Sequence, residues 1–70
     1  MASSCEIFVN GEAKQVVAGT TVAQLLAELK LEPKHCAVEI NLELVPRAKH
    51  AERPLAAGDR LEIVTLVGGG

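Results

Sequence analysis

Tryptophan and tyrosine are absent and phenylalanine occurs once, at Phe8, so aromatic residues make up 1% of the 70-residue chain. Without stacking platforms for bases or sugars, single-stranded nucleic-acid binding by that route is excluded. Positive charge is also scarce: seven Lys and Arg stand against nine Asp and Glu, for a net charge of −2. They are scattered rather than striped, which removes the electrostatic footprint of a nucleic-acid partner. Cysteine is limited to Cys5 and Cys36. They form no CxxC and have no paired histidines, so neither a zinc knuckle, a dithiol redox motif nor a disulfide framework is expected. No apolar run approaches the roughly 20 residues of a membrane span. Met1-Ala2-Ser3-Ser4 lacks the basic-then-apolar pattern of a secretory leader. These absences lead us to expect a reduced, cytoplasmic protein with no membrane or nucleic-acid partner.

What remains is an aliphatic, ordinary globular composition of 49% hydrophobic and 23% charged residues, enough for one small domain and no more. Cys5 to Val9 alternates Cys5, Ile7 and Val9 against Glu6 and Phe8, and Asn10-Gly11 follows. That dipeptide suits a two-residue type I′ hairpin turn, which needs positive φ at both central positions. The return strand is Glu12 to Val17. After the Ala18-Gly19 break, Thr20 or Thr21 can cap a helix from about Val22 to Lys30. Its Val22, Leu25, Leu26 and Leu29 form one apolar stripe, and Pro33 stops it. His35 to Asn41 reads as a strand, with Cys36, Val38 and Ile40 on one face. Leu44-Val45-Pro46 is a brief strand or a turn, and Arg47 to Arg53 is a polar connection without a defined pattern. Leu55 to Asp59 turns into a last strand from Arg60 to about Val67, in which Asp59 caps or closes the turn.

This order predicts an α+β fold with a mixed sheet of four to five strands packed against one main helix. With a hairpin preceding the helix, the first and last strands can pair in parallel at the sheet centre, which is the β-grasp arrangement. The expected organisation is a single domain over residues 1–67 and a flexible tail over 68–70.

Gly68, Gly69 and Gly70 are the least globular part of the sequence. Lacking Cβ atoms, they suit a tail that threads into a narrow channel on another protein. A terminal carboxylate is a poor electrophile, but coupling to ATP converts it into an acyl adenylate that a thiol, persulfide or amine can attack. The alternative is a frayed end of no consequence.

Several segments together resemble the ThiS family of ubiquitin-like sulfur carriers of thiamin thiazole biosynthesis. They are Ile7-Phe8-Val9-Asn10-Gly11, Thr21-Val22-Ala23-Gln24-Leu25-Leu26, Val38-Glu39-Ile40-Asn41, Val45-Pro46-Arg47, the stretch from Leu55 to Val64, and Gly69-Gly70. The third glycine, Gly68, departs from the family's usual small or apolar residue before Gly-Gly. The resemblance implies a ubiquitin-like β-grasp protein that is a substrate rather than an enzyme. Its Gly70 carboxylate would be adenylated by a ThiF-type, E1-like enzyme with MgATP. A persulfide sulfur donor would convert it to a thiocarboxylate, and a ThiG-type thiazole synthase would take the sulfur. No cofactor is bound by the chain itself in that scheme; MgATP and the persulfide act through the partner enzymes. Two neighbouring readings share the tail: a MoaD-type carrier for molybdopterin synthesis, disfavoured by the lack of prolines before the glycines, and a ubiquitin-like protein modifier. A non-reactive interaction domain is the third.

In the last strand, Leu61, Ile63 and Thr65 are expected inward and Glu62, Val64 and Leu66 outward. Val64, Leu66 and Val67, with Leu44, are candidates for a docking patch beside the tail, because one helix covers only one face of a sheet. Glu39, Glu43 and Glu62 could border it and steer a basic partner. Cys5 and Cys36 read as packing residues on strands rather than sulfur carriers. His35 and His50 lack a third ligand at usable spacing, so no metal site is expected. No Ser, Cys or His sits in a base-assisted nucleophile arrangement.

Overall fold

The computed structural model describes residues 3–66. The ends of the chain, including the tail positions Gly68, Gly69 and Gly70 and the docking candidate Val67, lie outside the described residues. Five strands form one mixed sheet: β1 (Ser4–Val9), β2 (Glu12–Val17), β3 (Cys36–Ile40), β4 (Glu43–Val45) and β5 (Arg60–Thr65), in the order β2-β1-β5-β3-β4. The β1–β5 pair is parallel and central, through Phe8↔Arg60 and Val9↔Leu61. The β1–β2, β3–β4 and β3–β5 pairs are antiparallel.

One helix, α1 (Val22–Glu28), covers one face of the sheet. Of the two candidate caps, Thr21 takes the role: its hydroxyl accepts from the Gln24 amide at 3.2 Å, while Gln24 Oε1 accepts from the Thr21 amide at 2.9 Å. This reciprocal box satisfies two donors that the first turn leaves unpaired. Thr20 is instead buried, donating its hydroxyl to the Val17 carbonyl.

The helix is shorter than the expected Val22 to Lys30, and Pro33 is not what ends it. Lys30 enters the left-handed region at φ 60, its amide donates to Ala27 O at 3.1 Å, and the Leu31 amide reaches back to Leu26 O at 2.9 Å. These are the two reverse bonds of a Schellman termination. Pro33 opens a separate 3-10 turn, Pro33–His35, that leads into β3. The expected strand from His35 to Asn41 is trimmed at both ends, by that turn and by the left-handed Asn41. Arg47–Glu52, which carries no clear pattern, is a 3-10 helix.

Val22, Leu25 and Leu26 of α1 form one buried cluster with Ile7, Val16, Val38, Ile40, Leu55, Leu61 and Ile63. At about 1.5–3 kcal/mol for each fully buried aliphatic side chain, this cluster is what holds so small a fold together. The alternation expected in β1, β3 and most of β5 holds, but Thr65 is exposed. The opposite face of the sheet has no helix over it among the described residues.

Candidate functional site

The open face is organised around β5, the strand that leads toward the glycines. Glu62 stands directly opposite Glu39, and Glu39 opposite Leu44; two residues on, Val64 stands opposite Ala37. Val64 and Leu66 are each 58% exposed and Leu44 is 65% exposed. Three of the four proposed docking residues thus present apolar surface on or beside this face. The Glu39–Glu62 pair places like charges across a strand pair, an arrangement that opposes folding. Neither residue has an ion-pair partner among the described residues.

Two asparagines fix β5 in place, and neither role is visible from the sequence pattern. The β1 backbone pairs with β5 only briefly before turning away at Asn10. The Asn10 amide donates to Leu61 O at 2.9 Å. Its side chain then substitutes for the next rung, with Oδ1 accepting from the Ile63 amide at 2.8 Å and Nδ2 donating to the Ile63 carbonyl at 3.1 Å. On the other side of β5, Asn41 Oδ1 accepts from the Arg60 amide at 3.1 Å, and its Nδ2 donates to Asp59 Oδ1 at 3.1 Å. The far end of β5 is tied to β3 by the Leu66 amide, which donates to His35 O at 2.7 Å.

Asp59 closes the turn as expected, and it does more. Besides Asn41, its carboxylate accepts from the Ala56 amide at 2.8 Å and lies 3.4 Å from Arg53 Nη2. It is 6% exposed. The carboxylate links three segments beneath the start of β5, which is a structural task.

The remaining candidates separate clearly. Cys36 is buried and its thiol donates to Glu32 O at 3.4 Å; burial pushes its pKa up, which disfavours the reactive thiolate. Cys5 is half-buried and packs against the core. His50, read as a residue of the polar connection, is buried with Nε2 3.0 Å from the Val45 carbonyl, so it pins the 3-10 helix to β4. Among the described residues no cluster of His, Cys, Asp and Glu has a metal-holding arrangement, and no helix is long and apolar enough to cross a membrane.

The profile of the ThiS family matches residues 7–70. A thiazole synthase of Paramagnetospirillum magneticum is 43% identical over 65 residues, covering 93% of this chain and 20% of that protein. The chain therefore spans about a fifth of that relative, and the same share of a second thiazole synthase, from Magnetococcus marinus. The sulfur carrier protein ThiS of Escherichia coli is 34% identical over 93% of this chain and 98% of its own length. The crystal structure of a thiamine biosynthesis protein (ThiS) from Geobacter metallireducens superposes with a TM-score of 0.79 at 29% identity, covering 93% of this chain and 99% of that one.

Proposed function

Since the chain belongs to the ThiS family, we propose that it is a sulfur carrier protein that delivers sulfur for the thiazole of thiamin. The observation that carries this reading is the family match, which runs through the glycines to residue 70. Full-length similarity to a ThiS carrier and partial similarity to two thiazole synthases support it. In this reading residues 1–67 are the domain, 68–70 are the threading tail, and the chain is a protein substrate rather than a catalyst. Two free thiols accord with a reducing cytoplasm.

The chemistry proceeds in balanced steps. A Gly70 carboxylate oxygen attacks the α-phosphorus of ATP on a ThiF-type enzyme, where Mg²⁺ neutralises the phosphates, and pyrophosphate leaves. The terminal sulfur of a donor persulfide attacks the acyl carbon of the adenylate and expels AMP, giving an acyl disulfide. A second thiol then attacks the donor's sulfur. The thiocarboxylate leaves with the electron pair of the S–S bond, and the two thiol sulfurs end as a disulfide. A ThiG-type thiazole synthase consumes the thiocarboxylate as a nucleophile. The domain's contribution is presentation: β5 is clamped on both sides by Asn10 and Asn41, and exposed Val64 and Leu66 offer contact next to the tail.

Intact mass of the chain ending in a free Gly70, after incubation with MgATP, a ThiF-type enzyme and a persulfide donor, tests the reading. A gain equal to one oxygen replaced by sulfur, localised to Gly70, is expected. No gain with a demonstrably active enzyme and donor would refute it.

A further inference from the structure

Both hairpins of the sheet close through two-residue turns, between Val9 and Glu12 in one case and Ile40 and Glu43 in the other. In the first, Asn10 and Gly11 take φ 51 and 86; in the second, Asn41 and Leu42 take φ 52 and 71. The backbone demand is the same, yet a leucine stands where the first turn has glycine. A leucine with φ in this range is strained by its Cβ against the backbone. Its side chain gains nothing in return from the fold, being 89% exposed. A residue that is unfavourable on both counts points to a use outside its own domain.

Leu42 borders a concave space of about 480 Å³ between the two turns, with Phe8, Arg60 and Glu62 among its other walls. The Arg60 guanidinium lies 4.7 Å from the centre of the Phe8 ring, so this cation flattens onto the wall. Beyond it lie Glu62 and Glu39, opposite each other across β5 and β3 and without an ion-pair partner among the described residues. The groove is thus an apolar notch with a negative border, at the opposite end of β5 from the tail. Leu66 lies six positions beyond Arg60, roughly 20 Å along the chain.

We propose that this groove, with Leu42 as its anchor, is a second docking point for the thiazole synthase that receives sulfur from the tail. The synthase would insert an apolar side chain between the turns and set a Lys or Arg against Glu39 and Glu62. One fact selects this occupant and a second the side chains it would bring. In two relatives this domain's sequence is part of a thiazole synthase polypeptide, so the two proteins work side by side. The negative border, in turn, calls for a basic complement. The inference rests on the sulfur-carrier reading. It adds a contact far from the reacting atoms, which would align the open face while the tail is threaded.

The test measures binding of the full chain, not yet loaded with sulfur, to purified thiazole synthase, for wild type, Leu42→Gly and Leu42→Asn. Both variants accept positive φ, so both are expected to raise Tm, by about 4 °C, while binding the synthase roughly tenfold more weakly. Gain of stability with loss of affinity is a signature that a merely structural residue cannot give. Binding within about twofold of wild type would overturn the proposal. So would an unchanged synthase affinity with a weakened affinity for the ThiF-type enzyme, which would assign the groove to the other partner. Failure of the wild-type chain to take up sulfur in the mass experiment is a separate result. It would remove the carrier reading whatever the Leu42 variants bind.

Discussion

The side-chain amide of Asn10 pairs with both backbone groups of Ile63, accepting at 2.8 Å and donating at 3.1 Å. A side chain thus takes the place of a strand where the β1 backbone has turned into its hairpin. Ile63 is 8% exposed, so removing the amide leaves a donor and an acceptor without partners at a poorly hydrated position. Asn10→Ala is expected to cost about 1–3 kcal/mol. Urea unfolding reads the loss, and hydrogen exchange should accelerate at the Ile63 amide, which loses its acceptor, more than at the Leu61 amide, to which the Asn10 side chain makes no bond.

Asp59 is the corresponding tie below β5. Its carboxylate serves the Ala56 amide, Asn41 Nδ2 and Arg53, and each of these would lose its acceptor at once in Asp59→Ala. The expected destabilisation is about 3 kcal/mol, seen as a lower urea midpoint. Asp59→Asn restores one acceptor oxygen but turns the other into a donor facing a donor. It should recover only part of the loss, and full recovery would mean that the carboxylate's second oxygen is dispensable.

How far such ties are legible depends on the range of the interaction. Alternation in β1 and β3 and the stripe Val22, Leu25, Leu26 are local patterns imposed by burying one face, and they place strands, helix and core correctly. Local chemistry also picks Asn10-Gly11 as a hairpin. The end of α1 is less legible because Lys30 is not a residue that announces a left-handed cap, whereas Pro33 announces a stop that the backbone no longer needs. Asn10 to Ile63 and Asn41 to Asp59 span 53 and 18 residues, and no periodicity encodes a single polar side chain reaching another strand. Leu42 carries no signal in the sequence for a related reason: its strain exists only once the turn is built. The exposure of Val64, Leu66 and Leu44 is legible because one helix cannot cover two faces of a sheet.

The capping box at Thr21 gives a smaller, cleaner prediction. Thr21→Ala removes the acceptor for the Gln24 amide at an exposed position and should cost about 1 kcal/mol. Thr21→Ser retains the oxygen and should remain close to wild type. Thermal unfolding of the three proteins in parallel is sufficient.

Burial pushes the Cys36 thiol above its ordinary value of 9.0, so the fold favours the neutral form. The stabilisation is complete below the unfolded chain's thiol pKa and is lost as pH rises through the folded one. Stability should therefore decline above about pH 9, and Cys36→Ala, though less stable overall through the cavity it leaves, should show a shallower alkaline decline. Alkylation gives an independent check, since Cys5 should react ahead of Cys36 in the native protein and the two should converge in urea.

Val64 separates folding from presentation. Its side chain is 58% exposed on the open face, opposite the small Ala37, so Val64→Asp removes little that the fold relies on and should shift stability by about 0.5 kcal/mol or less. The same change adds a third negative charge beside Glu39 and Glu62 and deletes apolar area next to the tail. If this face seats the ThiF-type enzyme during adenylation, sulfur loading should slow about tenfold at subsaturating carrier and recover as carrier concentration is raised, because the damage lies in encounter and not in the chemistry at Gly70. A rate unaffected at every concentration would take the patch out of loading. A deficit that saturating carrier leaves uncorrected would place Val64 in the alignment of the tail rather than in docking.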